Sequence, residues 1–343
     1  MKANYIYFVV LILTRLVYCT RTTRPGTHPL WPTIYANDGQ FEFSNALGAA
    51  LGTITSIIRV LKEGEILPNA QNVTHFDATS SVYKDAAFHA RLARTSNCRA
   101  SSDKWDCEQC QSTLPDGIVV RSFSTFPLGV TGNVVLSHRE RKIYVMIRGA
   151  SSFRNKVLFF STNLVPHPAI PDAHVQTGFL ASLVDIRDIV YNAIRDQLQL
   201  HPNYAVNVVA HSYGAGVGSL VTVDLFQRLP QLNETNLAGY LYGKPRVGDF
   251  NYATFVAENN IQIKRFVEKA DDICHRPDIQ DGYVHEGDEY WLKTSGPDAD
   301  LTLCPGPYET RNCSSSLVFF TGLDHLNYFD VQQGCEDDLY NLF

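Results

Sequence analysis

Val206-Asn207-Val208-Val209-Ala210-His211-Ser212-Tyr213-Gly214-Ala215-Gly216 is a short, mostly β-branched run that drives into a serine flanked by small residues. An amphipathic helical run, Val217 to Leu229, follows it. The layout is that of a nucleophile elbow. There the chain turns from strand to helix so sharply that the serine side chain is lifted into the open, and the residues two before and two after must be small. Here they are Ala210 and Gly214; alanine at the first position departs from G-x-S-x-G by one methyl group. A serine capping an ordinary helix gives a similar five-residue pattern. The strand that ends at Ser212 and the helix that starts after it favour the elbow, and with it a serine nucleophile.

The rest of the chain narrows the classes open to it. Its 343 residues are 45% hydrophobic, enough for a large core at the upper edge of one domain. The net charge of −6 comes with no basic stripe and no basic-aromatic interleaving, so nucleic-acid binding has no support. Residues 1–20 read as an export signal: Lys2 opens it, Tyr5 to Leu13 is apolar, and Arg15 breaks it. That run is too short for a membrane span, which needs about 20 apolar residues. Eight cysteines suit an exported chain, with seven left after Cys19 and so at least one unpaired thiol. Sequons at Asn72, Asn233 and Asn312 are compatible with export. Cys107-x-x-Cys110 has no second pair to complete a zinc site, and no metal or cofactor is implied.

Residues 21–77 begin rich in Pro and Thr, carry one helical stretch near Ile54 to Leu61, and read as a propeptide or N-terminal extension. From residue 78 to 343 strands and helices alternate. Lys84 to Ala93 reads as a helix. Gly117 to Phe123, Gly132 to Ser137 and Lys142 to Gly149 read as strands, and Val175 to Leu200 carries Phe179, Leu183, Ile186, Ile189, Val190, Ile194 and Leu198 at helical spacing. Leu237 to Tyr242 and Ile261 to Val267 are further strands. Alternation with fully apolar strands predicts an α/β fold on a mostly parallel sheet covered on both faces.

A serine needs a base, and the base needs an acid to fix its tautomer. In the α/β-hydrolase chain order the acid follows the serine and the histidine comes last. Asp271 and Asp272 sit just past a strand, and His275, His285 and His325 follow. At this point the chain resembles the class 3 lipases, especially the secreted lipases of Mucor- and Rhizopus-type moulds, over roughly residues 78–336. The blocks run in register: Arg148-Gly149-Ala150-Ser151-Ser152-Phe153-Arg154-Asn155, Gly178-Phe179-Leu180, the elbow, Gly243-Lys244-Pro245-Arg246-Val247-Gly248, Gly282 to Trp291, and Leu323-Asp324-His325-Leu326-Asn327-Tyr328-Phe329. The resemblance implies an α/β-hydrolase fold with a lid. It places the catalytic acid before an Ile-Val-Pro-type segment, which falls on Asp272 with Asp271 as its rival, and the catalytic histidine at His325. His285 then becomes a buried, hydrogen-bonded structural residue. His275 stands where the family usually has proline.

The resemblance also implies an oxyanion hole made by the backbone N–H groups of Ala150 and Tyr213. Alanine replaces the family's serine or threonine at 150 and loses a hydroxyl. Tyr213 stands for the usual leucine, and Lys244 for the usual glutamine. The family's lid falls on residues 151–166, whose apolar face would be Phe153, Val157, Leu158, Phe159, Phe160 and Leu164. Its disulfide pattern implies Cys98–Cys335, Cys107–Cys110 and Cys304–Cys313, leaving Cys274 as a buried free thiol.

The expected protein is therefore a secreted, monomeric triacylglycerol lipase working at a lipid droplet or emulsion interface through Ser212, His325 and Asp272. A soluble-substrate esterase such as a feruloyl esterase, or a phospholipase A1, is the neighbouring expectation. A catalytically silent binding protein of the same fold is the alternative from another class.

Overall fold

The computed structural model describes residues 67–98, 104–150 and 162–334. In chain order the strands are β1 (Thr74–Phe76), β2 (Ile118–Ser124), β3 (Thr131–Ser137), β4 (Lys142–Ile147), β5 (Leu164–Pro166), β6 (His174–Gln176), β7 (Ala205–His211), β8 (Leu237–Tyr242), β9 (Gln262–Glu268), β10 (Asp288–Thr294) and β11 (Asp300–Cys304). The helices are α1 (Ser81–Thr95), α2 (Glu108–Thr113), α3 (Thr177–Leu200), α4 (Tyr213–Arg228) and α5 (Phe250–Glu258). Nine strands form one sheet in the order β1-β11-β10-β9-β8-β7-β4-β3-β2, while β5 and β6 pair separately, as do the two-residue strands Asn327–Tyr328 and Val331–Gln332. The run β10-β9-β8-β7-β4 is parallel. Both edges are antiparallel, so the expectation of a mostly parallel sheet holds for the centre only. The reason is the short connections between β2 and β3, β3 and β4, and β10 and β11, since hairpins close only antiparallel pairs.

Side chains alternate across each strand, which sorts them into two cores. Ile143, Val145 and Ile147 of β4 and Val206, Val208 and Ala210 of β7 face α3 and α4. Tyr144 and Met146 of β4, with Val209, Tyr240 and Tyr242, face α1 and α2. Burial on both faces explains why β4 and β7 read as continuous apolar runs. Along α3 the buried Phe179, Leu183, Ile186, Val190, Ile194 and Leu198 recur every three or four residues. Gln176 starts this helix, its Oε1 accepting the Phe179 N–H at 2.7 Å.

The sheet begins before residue 78, because β1 pairs with β11 through Thr74–Leu303, His75–Thr302 and Phe76–Leu301. Leu67 and Ala70 are buried as well. The expected signal, the helical stretch near Ile54 to Leu61, Cys335 and the lid residues Phe153, Val157, Leu158, Phe159 and Phe160 lie outside the described residues. Leu164, the last residue expected in the lid, is half-buried in β5. Cys107–Cys110 and Cys304–Cys313 are bonded as the resemblance implies, and Cys274 is free and buried. Among the described residues no helix is long and apolar enough to cross a membrane.

Candidate active site

The C-terminal ends of β4, β7, β8 and β9 bring the site together. β7 stops at His211 and α4 starts at Tyr213, so Ser212 makes the whole turn, with φ 60° and ψ −130°. A non-glycine residue there costs about 1–3 kcal/mol and persists only where its surroundings enforce it. The Ser212 N–H donates to Tyr242 O at 2.9 Å, tying the turn to β8. Gly214 lies so close to β4 that a Cβ on it would stand 2.4 Å from Ile147 O and 2.6 Å from Arg148 O. Ser212 makes no capping bond to α4, so its hydroxyl remains available for another partner.

That partner is His325. It sits in a one-turn 3-10 helix, Asp324–Leu326, with Nε2 2.7 Å from Ser212 Oγ. On the other side of the ring, Nδ1 is 2.8 Å from Asp271 Oδ2. Gly243 lets the ring in: at φ +56° it has no side chain, and a Cβ there would meet His325 Cε1 at 2.7 Å. Asp271 is fully buried. Burial raises its pKa, but His325, the Tyr328 hydroxyl and the Ile273 N–H outweigh that, and the net shift is downward. An ionised Asp271 can only accept, so Nδ1 carries the imidazole proton and Nε2 offers its lone pair to the serine hydroxyl.

The acid expected at Asp272 is therefore displaced by one residue. The two aspartates follow the turn after β9 and point in different directions. The Asp271 N–H donates to Glu268 O at 3.0 Å and its carboxylate faces inward to His325. Asp272 faces outward, where Arg276 Nε reaches its Oδ2 at 3.3 Å. The other two histidine candidates are buried away from the serine. His285 Nε2 donates to Cys274 O at 2.6 Å, and His275 packs on Phe320 with ring centroids 4.1 Å apart.

Three further residues adjoin the triad; Tyr328 and His211 were not singled out from sequence, and Cys274 was read there only as a buried free thiol. Tyr328 Oη donates to Asp271 Oδ2 at 2.5 Å, and Cys274 Sγ lies 3.6 Å from the same oxygen. His211 Nε2 donates to the carbonyl of His325 at 2.9 Å. Burial, with the nearby His325 adding to it, pushes the His211 pKa down to about 3. His211 is thus a neutral donor that fixes the backbone of the histidine turn. Its place in the elbow and Tyr328's place in the Leu323–Phe329 block were the available signals.

The backbone at 149–150 runs beside the nucleophile: a Cβ built on Gly149 would lie 3.7 Å from Ser212 Cβ. Tyr213, the first residue of α4, has its phenol hydrogen-bonded to Ser182 of α3. Lys244 is buried with its Nζ 2.8 Å from Glu286 Oε1. Val318, Phe319, Leu323 and Leu326 stand exposed on the segment carrying His325.

Residues 144–280 match the family model described as lipase (class 3). A lipase of Rhizopus niveus is 35% identical over 260 residues, which are 75% of this chain and 66% of that protein. The chain thus spans about two thirds of the Rhizopus relative's length. A lipase of Rhizomucor miehei is 34% identical over 75% of this chain and 71% of its own. The solved structure of the Rhizomucor miehei triacylglyceride lipase superposes with a TM-score of 0.72 at 32% identity, covering 76% of this chain and 99% of that one. The lipase of Rhizopus microsporus var. chinensis gives 0.72 at 34% identity, covering 78% and 93%.

Proposed function

The chain belongs to the class 3 lipases, and from that premise we propose that it is a secreted triacylglycerol lipase acting through Ser212, His325 and Asp271. The observation that carries the proposal is the unbroken chain Ser212 Oγ–His325 Nε2–Nδ1–Asp271 Oδ2, at 2.7 and 2.8 Å, on an elbow whose serine caps nothing. Ser212 attacks the ester carbonyl while His325 Nε2 takes its proton. Asp271 stabilises the imidazolium that forms. His325 then gives the proton to the leaving alcohol, and it later activates the water that cleaves the acyl-enzyme. The N–H groups of Ala150 and Tyr213 are the proposed oxyanion donors, each worth on the order of 10²–10³ in rate. No step calls for a metal or cofactor.

Two features favour a lipid over a soluble ester. The Rhizomucor miehei neighbour is a triacylglyceride lipase. The exposed Val318, Phe319, Leu323 and Leu326 flank His325 with apolar surface that suits a lipid droplet or emulsion interface. The proposed lid, built on Phe153, Val157, Leu158, Phe159, Phe160 and Leu164, would extend that surface when displaced. The likeness of this chain to secreted fungal enzymes, such as the secreted mono- and diacylglycerol lipase of Fusarium solani, supports export.

The test is hydrolysis rate against tributyrin concentration carried through its solubility limit, with methyl ferulate assayed in parallel. A jump in rate once droplets form, with little ferulate turnover, is the expected result. Smooth saturation with efficient ferulate cleavage would move the assignment to a soluble-substrate esterase. A fluorophosphonate probe should label the wild type and not Ser212→Ala; an unlabelled wild type would mark a catalytically silent binding protein.

A further inference from the structure

The acid of the triad has more hydrogen-bond partners than its role of orienting a histidine requires. Asp271 Oδ1 accepts the Ile273 N–H at 2.9 Å. Three groups converge on Oδ2: His325 Nδ1 at 2.8 Å, Tyr328 Oη at 2.5 Å and Cys274 Sγ at 3.6 Å. The first two come from the segment that carries the histidine. The third lies on the acid's own loop, and it is the buried cysteine that the disulfides leave over.

The thiol has two oxygens within reach, Asp271 Oδ2 and Tyr328 Oη, each at 3.6 Å. Tyr328 already donates its O–H to Asp271, so towards Cys274 it can only accept. Burial first, and then the charge of Asp271, hold the Cys274 thiol well above its ordinary pKa, so it keeps its proton. Wherever that S–H points, it supports the same negative charge. It either donates to the carboxylate directly or polarises the phenol that donates to it. We propose that Cys274 is a positioning residue of the hydrolase, its S–H holding the Asp271 carboxylate in line with His325 and limiting how strongly it attracts the imidazolium proton. The proposal rests on the triad assignment above.

Other charged or titratable groups close on this couple. Asp272 is turned to Arg276, Asp324 accepts the Ala270 N–H, Glu268 meets Asp271 through its backbone carbonyl, His211 is a neutral donor to His325 O, His285 donates to Cys274 O, and the charges of Glu289, Arg265 and Lys244 bear on the thiol. Among the described residues, only His325, Tyr328 and Cys274 are hydrogen-bonded to Oδ2. A donor removed from a carboxylate leaves it more basic, and a more basic Asp271 holds the proton on His325 to higher pH.

The experiment is kcat/KM against pH on a soluble p-nitrophenyl ester for wild type, Cys274→Ala and Cys274→Val. The rate of fluorophosphonate labelling is measured over the same range. Both variants should move the acidic limb upward by about 0.3–0.5 pH unit, with KM unchanged. A limb that coincides with wild type, or moves downward, in a variant that still melts cooperatively would overturn the proposal and leave Cys274 as packing. Valine restores most of the lost volume and carries the test if the alanine variant does not fold. A wild type that the probe labels elsewhere than Ser212 would instead refute the triad assignment, and so the two failures are distinguishable.

Discussion

Asp271 and Asp272 are chemically identical neighbours with opposite surroundings, and that contrast can be tested directly. Asp271 is fully buried against His325 Nδ1, whereas Asp272 pairs with Arg276, whose side chain is 40% exposed. Replacing Asp271 by Asn swaps an acceptor for an amide that favours the wrong imidazole tautomer. Turnover should fall by about 10³–10⁴. Asp272→Asn weakens a solvent-screened pair away from the histidine and should leave turnover within about threefold, because such pairs contribute ~0–1 kcal/mol. Initial rates on a soluble ester decide it; equal losses in the two variants would contradict the assignment. The ambiguity has a physical origin. Ser212 announces itself through the strand before it and the small residues around it, and His325 through a block of neighbours. An acid in a turn is selected only by which way its side chain leaves the backbone. Two adjacent aspartates carry no sequence signal for that direction, and the Asp271–Thr321 bridge that sets it joins segments far apart in the chain.

At the scale of elements, the elbow depends on how closely α4 approaches β4. Gly214 has no room for a methyl, since Ile147 O and Arg148 O are backbone atoms at 2.4 and 2.6 Å from its would-be Cβ and cannot rotate away. Gly214→Ala should therefore destabilise the fold by about 1–3 kcal/mol and displace Ser212, with a large loss of turnover. Ala210→Gly should be mild at the site, because the Ala210 methyl already packs in the core facing α3 and α4. Urea unfolding midpoints and turnover for the pair check both halves; a Gly214→Ala protein with wild-type values would show that the elbow relaxes more easily than its contacts suggest. Elements of this kind were legible because their periodicity is complete within themselves: β4, β7, α3 and α4 all read correctly to within a few residues. The strands towards the β1 side of the sheet were not. β1 is three residues long and has no period of its own; its partner β11 supplies the pairing. In β10 only Glu289 and Leu292 are buried, so the strand does not read as an apolar run. For α5, nine residues give too few turns for a periodic signal.

Over the whole molecule, the distant sequence blocks meet through buried charge. Lys244 pairs with Glu286, Arg246 with Glu309 in two bonds of 2.7 Å, and Arg265 with Glu289 at 3.5 Å. Such pairs fix which segments meet more than they add net stability. The buried groups also set the pH range in which the fold is strongest. Burial lowers the pKa of His89 to about 4 and of His211 to about 3, and drives that of His285 well below its ordinary value. A depressed histidine contributes stability that is fully present above its unfolded pKa of about 6.5 and is lost as pH falls towards the folded value. Each such group can contribute up to about 1.4 kcal/mol per pH unit in that window. Glu268 works the other way. It is buried at the end of β9, and burial raises its pKa to about 7, against Lys269 and the Phe329 N–H, which favour its charge. Its stability contribution is present below the unfolded pKa and lost as pH rises through 7. Across that window the three histidines outweigh the one glutamate, so unfolding free energy from urea titrations should rise from pH 4 to about 7 and change little above it. Glu268→Gln keeps an acceptor for the Phe329 N–H but cannot ionise. It should gain stability relative to wild type at pH 8 and not at pH 4.5, so its rise between those two pH values should be steeper. If the two proteins run parallel across that range, Glu268 is not a group whose ionisation weakens the fold.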